Sequence, residues 1–107
     1  RQRQMCIRDS YIASQNYGYL GNYKKAIEKI DACIALDQNR DEVTDSYKNY
    51  YQSAIVRLAA YRQCNAPRYL SEALAHLDLA EVSALKCGTD EAEDYLKSIR
   101  ELRKSLV

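Results

Sequence analysis

The stretch Leu20-Gly21-Asn22-Tyr23-Lys24-Lys25-Ala26-Ile27-Glu28-Lys29-Ile30-Asp31-Ala32-Cys33-Ile34-Ala35-Leu36-Asp37 decides the fold. Gly21 is suited to the left-handed backbone that closes a helix, and the Asn22 side chain to capping the next one. Beyond that break, Tyr23, Ala26, Ile27, Ile30, Cys33 and Ile34 recur mostly three or four positions apart, which draws one apolar stripe along a helix. The stretch therefore predicts the end of one helix, a sharp turn, and a second helix over residues 23–36.

Working outward, the segment before the turn predicts a first helix over residues 7–19. After the second helix, Asp37-Gln38-Asn39-Arg40-Asp41 is a polar turn with Asp41 as a cap. A third helix over residues 42–63 follows, striped by Val43, Tyr47, Tyr51, Ala54, Leu58 and Tyr61. Asn65-Ala66-Pro67 breaks it, because proline disfavours helix at the residue before it. A fourth helix spans residues 68–86 through Leu70, Ala73, Leu74, Leu77, Ala80 and Ala84. Leu79 and Val82 add a second apolar edge, so this helix is expected to be covered on two sides. Cys87-Gly88 ends it, and Thr89 or Asp90 caps a fifth helix reaching about residue 106. Turns this short make sequential helices antiparallel.

Composition agrees. The chain has 107 residues with only three Gly and one Pro, and a formal net charge of +1. Its Lys and Arg are interspersed with Asp and Glu, which argues against a nucleic-acid partner. No apolar run approaches the ~20 residues of a membrane span. All ten aromatic residues are Tyr, a side chain suited to helix seams and to wet interfaces with one apolar and one polar end. The opening segment, Arg1 to Ser10, reads as a translated sequencing adaptor, so Cys6 and its neighbours carry less weight.

Residues 13–39 resemble a tetratricopeptide repeat, a helical hairpin of about 34 residues. Gly21 stands at the glycine between its helices, Tyr23 at the aromatic opening the second helix, and Ala26 at the small residue where the helices cross. Cys33 falls where the family prefers Ala, Tyr17 on the late aromatic of the first helix, and Gln38 where Pro is usual. The second repeat is looser: Leu70, Ala73 and Ala80 fit, but Asn65-Ala66-Pro67 replaces the Gly21 turn. The fifth helix resembles half of a third repeat. The resemblance implies an all-α domain over residues 1–107, built of about five helices in antiparallel hairpins as a short right-handed solenoid. Some members clamp a carboxylate with Lys, Asn and Arg on the concave face. Here those positions carry Tyr11, Gln15 and Ser46, so no clamp is expected. The concave face would carry Gln15, Tyr19, Asn49 and Gln52, either as a neutral hydrogen-bonding surface or as ordinary solvated residues.

No constellation points to catalysis, a metal or a cofactor. His76 stands alone, with structural burial as its default role. The polar turn mimics a calcium loop, but Glu42 replaces the required Gly and Lys48 the closing Glu. Phosphate loops and nucleophile elbows are missing. Cys6, Cys33, Cys64 and Cys87 include no Cys-x-x-Cys pair. They read either as four reduced thiols or as disulfide candidates. In an antiparallel array Cys6, Cys33 and Cys87 gather at one pole, where one disulfide, with Cys33 its first candidate, could form.

Two and a half hairpins leave end faces uncovered. The leading expectation is a self-assembling structural subunit of a helical filament, in which the fifth helix of one chain completes a hairpin with the first helix of the next. Tyr11, Tyr95, Leu96, Ile99, Leu102 and Leu106 are its contact candidates. The resemblance to tetratricopeptide-like subunits of glycan-coated extracellular fibrils adds an extracellular location and glycosylation. No Asn-x-Ser/Thr sequon exists, so Ser10, Thr44, Ser46, Ser53 and Ser83 are the available acceptors. The alternative is a cytoplasmic adaptor fragment with reduced cysteines that binds a partner peptide in its concave groove.

Overall fold

The breaks at Gly21, at Asn65-Ala66-Pro67 and at Cys87-Gly88 fall at helix boundaries in the computed structural model, which describes the backbone of residues 2–38 and 46–106 and the side chains of residues 9–36 and 46–106. Five helices run through these residues: α1 (Gln2–Tyr19), α2 (Tyr23–Gln38), α3 (Ser46–Cys64), α4 (Pro67–Cys87) and α5 (Asp90–Leu106). The protein is all-α. The first helix begins earlier than the apolar pattern predicts, because a polar segment also continues a helix once it has begun. The turn around Asp41 lies outside the described residues, as does the expected start of the third helix.

Local chemistry sets the boundaries. Gly21 adopts φ 81°, and the Asn22 side chain accepts the Lys25 N–H at 3.3 Å to cap α2. Asn65 turns the chain with φ 56°, and Pro67 stands at the first position of α4, where its missing N–H is no loss. Gly88, at φ 68°, returns its N–H to the Ala84 carbonyl and closes α4. Thr89 rather than Asp90 caps α5: its Oγ1 accepts the Ala92 N–H at 3.1 Å.

Side-chain pairs step in opposite directions along neighbouring helices, so the neighbours are antiparallel. Ser14 of α1 donates to the Ala26 carbonyl of α2 at 2.8 Å. Between α4 and α5, Arg103 pairs with Asp78 and with Glu81, and Arg100 also reaches Glu81. Hydrogen bonding to Arg103 is the leading cause that holds the Glu81 carboxyl below its ordinary range. Besides these sequential pairs, α1 packs on α3 and α3 on α5. Among the described residues no backbone contact joins α2 to α4.

Three apolar clusters follow. Ala26, Ile30, Cys33 and Val56 lie between the first three helices, with Tyr11 and Tyr17 against them. Ala54, Leu58, Ala73, Leu77, Ala80 and Ile99 join α3, α4 and α5, with Leu102 and Leu106 packed alongside. Tyr47, Ala84, Ala92 and Leu96 close the far end.

These clusters correct two of the expected subunit contacts. Leu96 and Ile99 are buried inside their own chain, and Tyr95, Leu102 and Leu106 pack against the same cores. Leu96 and Ile99 are thus spent inside the chain, whereas Tyr95, Leu102 and Leu106 are half-buried against α3 and α4. Tyr11 and Tyr95 do interact, but within one molecule: burial first, then the neighbouring Tyr95 hydroxyl, push the Tyr11 hydroxyl above the ordinary tyrosine value. The second edge of α4 is likewise not covered, since Leu79 and Val82 are exposed.

Candidate functional site

Among the described residues, two of the concavities that gather polar side chains bear on function. The first lies between α1 and α3. Gln15, Gly18 and Tyr19 of α1, Tyr23 at the head of α2, and Gln52, Ile55, Val56 and Ala59 of α3 line a groove of about 210 Å³. Gly18 sits against Val56, where a Cβ would make ordinary contact at 3.8 Å. The lining combines aliphatic Ile55, Val56 and Ala59 with two carboxamides and two tyrosines; Gln52 and Val56 are buried, and Ile55 is exposed. Tyr19 is 86% exposed, and Leu20 beside it is also exposed. Among the described residues, no charged side chain lines the groove.

Three of the four expected concave-face residues, Gln15, Tyr19 and Gln52, thus meet in one place. Asn49 does not join them. It is buried and accepts a hydrogen bond from the Cys33 thiol at 3.4 Å, so it is a structural residue of the α2–α3 seam.

The second place centres on Arg57, a buried cation on α3. Its guanidinium contacts both Asp31 carboxylate oxygens, at 3.0 and 2.9 Å. It also reaches Glu72 on α4 at 3.2 Å and donates to Ser53 one turn back. Ser53 in turn hydrogen-bonds His76 Nδ1, and the His76 ring stands edge-on to Tyr50 at 6.0 Å. Burial is the leading cause that lowers the His76 pKa, with Arg57 the next. The neutral imidazole therefore accepts the Ser53 proton, while Ser53 Oγ accepts from Arg57. A serine beside a histidine invites a nucleophilic reading, but Ser53 is wholly buried and the guanidinium occupies its oxygen. The arrangement suits fastening three helices better than attack on a substrate. Outside it, Lys24, Ile27, Arg68 and Tyr69 complete an open depression of about 320 Å³.

Sequence reasoning missed this network. The signal was there: Arg57 is the only charge within Ala54-Ile55-Val56-Arg57-Leu58-Ala59-Ala60, and a lone arginine inside an apolar run must find partners where it is buried.

The remaining expectations are placed as follows. Cys33, Cys64 and Cys87 are not joined to one another by a disulfide. Cys33 is buried in the first cluster, Cys64 is exposed, and Cys87 lies near Thr89 with 3.6 Å between Sγ and Oγ1. The Cys6 side chain lies outside the described residues. Of the glycan acceptors, Ser46 and Ser53 are buried and are corrected as attachment sites. Ser10 and Ser83 are half-buried, and Thr44 lies outside the described residues. Among the described residues, no group of three or more His, Cys, Asp or Glu is placed to hold a metal ion, and no helix is long and apolar enough to cross a membrane.

No protein-family model matches the chain, no curated protein matches it, and no solved structure matches it.

Proposed function

We propose that this chain is a tetratricopeptide-like interaction module that holds an extended, uncharged segment of a partner polypeptide in the groove between α1 and α3. The observation that carries the reading is the convergence of Gln15, Tyr19 and Gln52 on one groove that Ile55, Val56 and Ala59 also line. An extended segment has unpaired backbone amides and carbonyls that carboxamides can match. Its small apolar side chains would bury against Ile55, Val56 and Ala59, and tyrosine supplies contact area at low entropic cost. A neutral lining favours a neutral guest, because a charged side chain would lose water there without gaining a partner. The order of helix contacts, with each odd-numbered helix packed on the next, is the one a row of hairpins requires.

Filament growth by placing α5 of one chain on α1 of the next is a weaker proposal. Two of the residues it would use, Leu96 and Ile99, are already buried in the chain's own core.

The test is selection from a displayed library of random peptides against the full chain. Enriched peptides poor in charge, whose binding falls at least tenfold with Ile55→Lys and with Ala59→Glu, are the expected result. Peptides that bind those variants as well as the original chain would refute the groove reading.

A further inference from the structure

The outer face of α4 carries an apolar stripe that the fold leaves open. Glu72, Ala75, Leu79, Val82 and Lys86 succeed one another at spacings of three, four, three and four, so they lie along one line of the helix. Leu79 is 46% exposed and Val82 51%, and Ala75 and Lys86 are exposed as well. The backbone of α4 contacts α3 and α5 and, among the described residues, no other helix.

The two ends of the stripe carry opposite charges. Glu72 and Lys86 stand seven residues to either side of Leu79, each about 10 Å from it at 1.5 Å per residue. A stripe with this symmetry is complementary to itself in one orientation only. Parallel pairing would set Glu72 against Glu72 and Lys86 against Lys86. Antiparallel pairing about a two-fold axis near Leu79 would set each Glu72 against the Lys86 of the other copy, twice over. Glu72 holds Arg57 through Oε1, and its side chain remains 48% exposed, so its other oxygen can meet an ammonium group. Ala75 and Val82 are small, which lets the second helix approach closely enough for Leu79 to seat between them. A foreign partner would have no need of this mirrored charge. A second copy does, because in a two-fold interface the same patch serves both sides.

We infer that the outer face of α4 is an isologous dimer interface, in which two copies pair antiparallel across Leu79. The assembly closes at two and leaves the groove between α1 and α3 clear of the contact. One helix per partner places the interface at the small end of the range for specific association, so the dimer is reversible.

Sedimentation of the full chain under reducing conditions, from roughly 10 µM to 1 mM, tests this. Reduction keeps exposed Cys64 from crosslinking copies. The mass should rise from one chain to two across this range and stop there. Leu79→Glu should leave a monomer throughout. Lys86→Glu should weaken association about tenfold by replacing two attractions with two repulsions, and raised salt should narrow its difference from the original chain. Both substitutions are at exposed positions, so unchanged thermal melts will separate lost pairing from lost folding. A monomer at every concentration, a dimer indifferent to Leu79→Glu, or growth beyond two chains would each overturn the inference.

Discussion

Replacing Arg57 separates two ways in which a buried cation can hold a fold. Arg57→Ala removes the ties to Asp31, Glu72 and Ser53 and also the aliphatic stem that fills the seam of three helices. Hydrogen bonds to charged groups are worth about 1.5–3 kcal/mol each when fully buried. Asp31 and Glu72 are 47% and 48% exposed, so both carboxylates regain water and most of that value is discounted. Adding the lost stem contacts gives a cost of about 2–3 kcal/mol. For a domain of this size that is a drop in Tm of roughly 10 °C or more. Arg57→Met keeps the stem volume and removes only the charge. Its carboxylate neighbours can turn to solvent and Ser53 keeps His76, so it should cost under about 1 kcal/mol. Urea unfolding followed by circular dichroism, with the slope held equal across variants, reads both values. If Arg57→Met is as damaging as Arg57→Ala, the charge itself fastens the helices and the solvation argument fails. If Arg57→Ala costs less than about 0.5 kcal/mol, the cluster is ornamental.

Three further predictions follow from burial and titration. His76 has a lowered folded-state pKa, so the unfolded chain takes up the proton first. Stability should fall as pH drops from about 6.5 toward that lower value, and His76→Gln should flatten this step in a pH series of melts. A slope unchanged in the variant would place its origin elsewhere, because Glu81 and Glu91, with lowered pKa values, lose their contributions only in the more acid carboxylate range. Ile99→Ala should cost about 3 kcal/mol through the cavity it leaves, equally at low and high protein concentration. A loss that grew on dilution would show that α5 packs on another molecule. Of the three described cysteines, under native conditions a maleimide should label Cys64 fastest, Cys87 next and Cys33 last, following their exposure. Mass spectrometry of early time points reads that order, and early labelling of Cys33 would contradict its burial.

The helices were legible because their punctuation is local. Gly21, Asn22, Pro67 and Gly88 each act within a few residues, and the boundaries they predict agree with the observed ones. What α5 packs against was not legible. An amphipathic stripe announces burial without naming its cover, and Ile99 satisfies the same pattern whether it meets Leu77 or a second chain. The groove was legible in part, because Gln15 and Tyr19 share a face of α1 by spacing alone. Asn49 and Gln52 differ by three positions on α3, yet one turns to Cys33 and the other to the groove. That division depends on the angle at which α2 crosses α3, which no local pattern encodes. The Arg57 network joins residues 26 and 15 positions apart in sequence, beyond the reach of any helix periodicity.

Arg57 also has a mechanical consequence. Asp31 rides on α2 and Glu72 on α4, helices whose described backbones make no contact with each other, and both grip one guanidinium on α3. A swing of the first hairpin about α3 would stretch the Asp31 grip, and Asp31 stands half in water. The first hairpin also carries α1, one wall of the groove. Arg57→Met would therefore loosen that wall slightly without touching the groove lining, a change in width that costs little in overall stability.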